Sequence, residues 1–331
     1  MPADSRAEAA GGGPAAAGRW RARAFGLEID AGFEAPGLPP ADGPSRGPLT
    51  RLDLASPEEI DRDWPENGTR RVLEERFDDG PPARTIDVDP EQGYRLYARH
   101  FGLARISPGG EEVVCAPPDD EPWSWQRFLV GRVLPWAAVL RGHEALHASA
   151  VGWRGRAIAF VGETGAGKTS LAVQLVTRGM EFFTDDVLAL ERSEGTVQGH
   201  PGAALVSVRD AERAAIPAAS WARLGKVLGH SGKTYVEVPR ADRPLPLGAL
   251  YFLARGETVA VEPIAHLDPR LLLSSTFALG VQTPARLLNQ LDVCSAIARD
   301  VPIFRLRIAA DAGAGRSADV VQEHLTQQWG A

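Results

Sequence analysis

Cysteine is almost missing from this chain: Cys115 and Cys294 are the only two among 331 residues. Thiols 179 positions apart make neither a thiolate metal cluster nor a disulfide framework, and a reducing, cytoplasmic setting is the simplest expectation. Long apolar runs are missing as well. No stretch approaches the about 18 uninterrupted apolar residues of a membrane span, so no membrane association is expected. The first residues carry early acidic groups and no leucine-rich centre, unlike a secretory leader. Positive charge is in deficit, with 36 Lys+Arg against 43 Asp+Glu and a net charge of -7. That balance argues against a general nucleic-acid binder, which needs a basic face. Lysine is scarcest of all: Lys168, Lys226 and Lys233 stand beside 33 arginines.

What is present is ordinary for a globular chain. The sequence is 44% hydrophobic and 24% charged, and its length fits about two domains. Residues 1–18 are Ala, Gly and Pro with scattered charge, too little apolar area to offset ordering, and are expected to form a disordered tail. Residues 19–120 show short apolar runs broken by turn residues, among them the alternating Arg84-Thr85-Ile86-Asp87-Val88, and predict a small β-rich N-terminal domain. Residues 121–144 predict a connecting helix whose Trp125, Phe128, Leu129, Arg132, Val133, Trp136 and Leu140 recur at helical spacing, with Pro135 kinking or splitting it. Tryptophans at that spacing read as core rather than as a binding face.

From residue 145 the texture becomes βαβ. Ala157 to Val161 is a continuous apolar run, as in a strand buried on both faces, and Leu171 to Arg178 reads as a helix with Gly179 beyond it. Further helices are expected over Pro269–Leu279 and Pro284–Arg299. Residues 145–311 form the expected nucleotide-binding domain, and 312–331 a linker and final helix.

Between the strand and the helix lies Gly162-Glu163-Thr164-Gly165-Ala166-Gly167-Lys168-Thr169, followed by Ser170. It fits the G-x-x-x-x-G-K-[ST] phosphate loop, a pattern that a chain of this composition would hold by chance at a rate of roughly 0.003. Glycines let the backbone aim several N–H groups at a polyphosphate, and the helix that starts there points its positive end at the anion. Lys168 would neutralise the outer phosphates, and the Thr169 hydroxyl would reach Mg²⁺. Asp185-Asp186 follows a second apolar stretch, where carboxylates can serve a metal and a proton. His147, just ahead of a buried strand, would by itself read as structural.

Taken together, Leu146 to Leu190 resembles the catalytic domain of the HPr kinase/phosphorylase family, with His147, the 162–169 loop, Arg178-Gly179 and Asp185-Asp186 in matching order and spacing. The N-terminal residues do not resemble that family's own N-terminal domain. They look more like stand-alone relatives, some of which phosphorylate a precursor peptide. The resemblance implies an α/β fold with a P-loop core of the HPr-kinase and PEP-carboxykinase type, joined to a smaller β-rich domain. It implies Asp185 as general base toward an acceptor hydroxyl, Asp186 and Thr169 toward Mg²⁺, and His147 beside the carboxylates.

The family's Arg-Gly-x-Gly signature is absent downstream, where the chain reads His200 to Arg209. The expectation is therefore an ATP- and Mg²⁺-dependent kinase without phosphorylase activity. Its phosphoacceptor would be a hydroxyl of a peptide, protein or small molecule. Arg209, Lys233, Arg240 and Arg243 are candidates for a second phosphate contact, Lys233 foremost because lysine is so scarce. A nucleotide-binding regulatory module or slow ATPase is the alternative. A carboxykinase-type lyase wants more lysine than the chain holds. Asn289-Gln290-Leu291-Asp292 has the look of a guanine-reading tetrad, but it lies inside a helical pattern and is read as chance.

Overall fold

The computed structural model describes residues 19–45, 47–65, 67–77, 79–118, 122–230, 232–278 and 280–330, with backbone only for 122–124 and 269. The expected tail over 1–18 and Ser231 beside Lys233 lie outside the described residues. The fold is mixed α/β with several sheets.

The first sheet is built from β1 (Trp20–Ala24), β2 (Leu27–Ala31), β3 (Leu49–Leu54), β4 (Arg70–Glu75), β5 (Arg84–Asp89), β6 (Gly93–Ala98), β7 (Gly102–Ile106) and β8 (Glu112–Ala116), in the order β1-β2-β3-β8-β7-β6-β5-β4. A short helix α1 (Pro57–Arg62) starts on a Ser56–Glu59 capping box. Alternation along β5 places side chains on the faces in a way the sequence hid. Thr85, Asp87 and Asp89 are the buried set, while Ile86 and Val88 are half-buried. Asp87 tolerates this because Arg71 and Arg95 bind its two oxygens at 2.8 and 3.0 Å. Burial raises the proton affinity of Asp87, but the two guanidiniums outweigh it and hold its carboxyl below the usual range.

The connecting helix is split, as Pro135 predicts. It runs as α2 (Pro122–Phe128), a π turn over Leu129–Val133, and α3 (Leu134–Leu140). Pro135 has no N–H to give to the turn before it, and Leu134 N–H reaches back five residues to the Leu129 carbonyl. Val133, Leu134, Ala137 and Ala138 are fully buried. Trp125 packs on Phe33 at 5.5 Å and Trp136 on Tyr94 at 5.4 Å, so both tryptophans are core. This core continues through Ala145, Val187, Ala189 and Ala203 into the second sheet.

The second sheet contains β9 (Glu144–Leu146), β10 (Ala148–Trp153), β11 (Arg156–Val161), β12 (Glu181–Thr184), β13 (Leu188–Ser193), β14 (Thr196–His200), β18 (Leu245–Gly256), β19 (Ala260–Pro263) and β20 (Ile303–Ala309). A smaller sheet holds β15 (Leu205–Val208), β16 (Lys226–His230) and β17 (Thr234–Glu237), in the order β15-β17-β16. Strands β11, β18 and β20 pair in parallel, whereas β10 is antiparallel to both β11 and β12. The continuous apolar run of β11 reflects burial on both faces. Ala157, Ala159 and Val161 pack toward α8 (Pro284–Asp300), while Ile158 and Phe160 pack toward α4 (Lys168–Val176) and α9 (Ala314–Trp329).

The helix expected over Pro269–Leu279 is shorter: α7 covers Pro269–Leu273. Beyond it the chain turns back to the sheet, where Phe277 N–H donates to the Ala145 carbonyl and Thr276 bridges Leu146. Those sheet contacts take up the backbone that helix continuation would have used. Two short helices that the sequence did not flag, α5 (Asp210–Ala214) and α6 (Ala218–Leu224), lie between β15 and β16.

Candidate functional site

Strand β11 ends at Val161 and helix α4 begins at Lys168, so residues 162–167 form the turn between a buried strand and a helix N-terminus. Gly165 and Gly167 sit at φ +84° and +94°, in the left-handed region that favours glycine. Glu163 and Thr164 are exposed at the tip. Lys168 is buried, and its Nζ donates to the carbonyls of Gly162 at 2.8 Å and Glu163 at 3.2 Å, folding the side chain over the loop. Burial lowers the proton affinity of this ammonium, while Asp186 and then Asp185 work the other way.

Asp185 and Asp186 leave the end of β12 in a tight turn closed by Val187 N–H donating to the Asp185 carbonyl at 2.8 Å. Asp186 sits at φ +64°, a conformation that costs a non-glycine residue about 1–3 kcal/mol and clusters at functional sites. One oxygen of Asp185, Oδ1, accepts from the Ser149 hydroxyl at 2.6 Å and from the Thr169 hydroxyl at 2.8 Å. Burial and the neighbouring Asp186 carboxylate push Asp185 up to about 7, against the pull of the two hydroxyls. The arrangement thus gives this carboxylate a higher proton affinity than an ordinary aspartate.

His147 sits between β9 and β10, its N–H donating to the Ser275 carbonyl at 2.6 Å. Its imidazole is held below the usual histidine range by burial first and by Lys168 next, and Asp186 opposes them. Lys233 approaches from the β16–β17 turn. It is half-buried, its Nζ 3.5 Å from the Ser207 hydroxyl. Burial and the charges of Arg127 and Arg209 lower its proton affinity, while Asp186 and Asp185 raise it. The structure therefore brings Lys168, Thr169, His147, Asp185, Asp186 and Lys233 into one electrostatic neighbourhood. Arg209 itself is exposed at the start of α5. Ser170 donates to Glu212 at 2.5 Å, and both line the cavity along α4. Arg240 is bound to the Arg23 and Ala241 carbonyls, away from this cluster.

The approach of three further residues to this cluster was not legible in the sequence. Ser149 reaches Asp185 because β10 lies between β11 and β12, a neighbourhood set by strand pairing and not by any local motif. Arg127 and Arg132 come from the connecting helix. Arg132 is stacked over the Phe277 ring at 5.1 Å, and its charge is felt by both Asp186 and His147. Beside the loop, a cavity of about 800 Å³ runs along α4 past Ala166, Gly167, Ser170, Gln174, Ile216 and Gly313.

The donor set fits a hard cation. A hydroxyl and a carboxylate, at Thr169 and Asp186, are oxygen ligands of the kind that Mg²⁺ takes. Among the described residues, no helix is long and apolar enough to cross a membrane.

No family model matches the chain, and no curated protein matches it. Among solved structures it is similar to the Hpr(Ser) kinase/phosphatase from Coxiella burnetii, at 13% identity and a TM-score of 0.30, over 56% of this chain and 97% of that one.

Proposed function

We propose that the chain is an ATP-dependent kinase that transfers the γ-phosphoryl group to a hydroxyl of a peptide, protein or small molecule. One observation carries this reading: the hydroxyl of Thr169, the residue that follows the loop lysine, donates to the carboxylate of Asp185 at 2.8 Å. The group fitted to take a proton thus touches the element fitted to hold phosphate.

The residues divide the work. The backbone of residues 162–167 and the first turn of α4 bind the phosphates. Lys168 neutralises the outer ones, releasing the Gly162 and Glu163 carbonyls that it now holds. The cavity along α4 has room for a nucleoside. Asp185 accepts the proton of the acceptor hydroxyl, and the proton affinity that burial gives it matches that task at neutral pH. His147, held neutral by burial, keeps extra positive charge away from Asp186. Lys233 and Arg132 offset the negative charge brought in by substrate. Mg²⁺, bound through Thr169 and Asp186, would supply charge neutralisation on the transferring phosphoryl group.

The test is transfer itself. Purified protein is incubated with labelled ATP and candidate acceptors, and the phosphate is located by mass spectrometry. Label on an acceptor hydroxyl, lost in Asp185→Asn, is the expected result. Hydrolysis of ATP with no acceptor labelled would instead favour a slow ATPase or regulatory module.

A further inference from the structure

A second cluster of side chains lies apart from the phosphate loop and has no part in that chemistry. It is formed by His143, Glu191 and His200, whose ligand-type atoms all lie within 4.8 Å of one another. Strand pairing assembles it. Strands β9 and β13 run antiparallel with Glu144 opposite Leu190, so the next step along brings His143 to Glu191. Strand β14 pairs with β13 so that His200 faces Ala189, two residues from Glu191 and on the same face. The distances follow: Glu191 Oε1 is 3.2 Å from His200 Nε2, and Oε2 is 3.8 Å from His143 Nδ1. The two imidazoles meet edge to face with centroids 4.7 Å apart.

Two of these nitrogens are orphans. Nε2 of His200 and Nδ1 of His143 are buried, and among the described residues neither has a well-aligned hydrogen-bond partner, Glu191 being the polar group they face; the His200 side chain is only 10% exposed. A buried polar atom left unpaired is costly, and here both nitrogens face one carboxylate, at 3.2 and 3.8 Å. His143 is also fixed from behind. It hydrogen-bonds the Gly26 backbone in the β1–β2 turn, where a side chain at position 26 would collide with its ring. A backbone hydrogen bond on the far nitrogen is the support that metal-bound histidines commonly have.

We propose that His143, Glu191 and His200 bind a divalent transition-metal ion, with Zn²⁺ the best match. Two imidazole nitrogens and one carboxylate oxygen suit Zn²⁺, whereas Mg²⁺ prefers all-oxygen sites. Bonds of about 2.0–2.1 Å to tetrahedral Zn²⁺ place ligand atoms about 3.3 Å apart. The separations of 3.2 and 3.8 Å run to the two oxygens of Glu191, and the three ligand atoms lie within 4.8 Å, so side-chain rotation about an ion would draw them in to that spacing. Glu191 is 38% exposed, so water can complete the coordination. Burial keeps both imidazoles neutral and available as ligands, His143 being pushed down to about 4. The role is structural. The β1–β2 turn is already tied to the end of β14 by Phe25 N–H donating to the Pro201 carbonyl at 2.7 Å, and an ion on His143 and His200 would lock the two sheets at that joint.

The experiment uses the full chain, stripped with a chelator and titrated with Zn²⁺ against a chromophoric competitor. Wild type, His200→Ala, Glu191→Gln and Asp185→Asn are compared, with thermal melting with and without Zn²⁺ as a second readout. Wild type and Asp185→Asn are expected to bind one Zn²⁺ with equal affinity and to melt higher with it. Glu191→Gln, which keeps size and polarity, is expected to bind at least about tenfold more weakly, and His200→Ala weaker still. Should His200→Ala fail to fold, Glu191→Gln decides. No uptake by wild type, or uptake unaffected by Glu191→Gln, overturns the site. Neither outcome bears on phosphoryl transfer, so the two readings stand or fall separately.

Discussion

Thr169 and Ser149 donate to the same oxygen of Asp185, at 2.8 and 2.6 Å, from a helix start and from the adjacent strand. That convergence fixes the orientation of the carboxylate and leaves its second oxygen for other partners. It also sets two opposing influences on one proton: burial beside Asp186 favours the neutral acid, and the hydroxyls favour the anion.

The first consequence is catalytic. Asp185→Asn keeps the shape and still accepts from both hydroxyls, but it cannot take a proton. Phosphoryl transfer is expected to fall by about 10²–10⁴-fold while the affinity for Mg-ATP persists. Rapid-quench transfer assays and nucleotide titration read the two quantities. Wild-type transfer in this variant would remove Asp185 as the base.

The pH dependence follows from the raised proton affinity. With Asp185 pushed up to about 7, kcat/KM is expected to rise through neutral pH and level off above it. Ser149→Ala removes a hydroxyl that favours the anion, so its acid limb should move to higher pH. A limb that stays put in Ser149→Ala would mean that another group governs the profile.

The same shift has a stability counterpart. A carboxyl whose folded-state proton affinity is raised stabilises the fold at low pH and loses that contribution as pH rises through about 7. Replacing it by Asn removes the loss. The melting temperature of Asp185→Asn relative to wild type should therefore be higher at about pH 8.5 than at about pH 5. Equal differences at both values would contradict the burial of this proton.

Lys168→Ala removes the cation folded over the loop. Nucleotide affinity is expected to drop by roughly tenfold or more, with little change in melting temperature, because the hydrogen bonds of Nζ go to two carbonyls of the loop itself, those of Gly162 and Glu163. Calorimetric titration measures the first and a thermal melt the second. A collapsed fold would show the lysine to be structural.

Away from the site, Arg286 and Glu144 form a buried ion pair at 3.0 Å, with side chains 4% and 0% exposed. Arg286→Met strands the carboxylate and should cost about 3–5 kcal/mol in urea denaturation. Adding Glu144→Gln should restore much of it. A single variant as stable as wild type would show that the pair contributes nothing.

The residues along the chain were enough to place a glycine-rich turn between β11 and α4, because Gly162, Gly165 and Gly167 ahead of Lys168 form a local pattern between a strand and a helix. They were enough to foresee the split at Pro135 and the doubly buried β11. Sequence periodicity also read the tryptophans of the connecting helix as core. It misread Pro269–Leu279, where sheet contacts of Thr276 and Phe277 outcompete helix continuation. Nor could it show that Asp87 is buried between Arg71 and Arg95 while Ile86 is half-buried, since alternation gives two faces and not which one is enclosed. Ser149 on Asp185, Arg132 beside His147, and the meeting of His143, Glu191 and His200 were decided by tertiary structure alone. Each joins residues on different strands or helices, and strand order and register are set by how the whole sheet buries its apolar faces, a property that no local stretch of sequence carries.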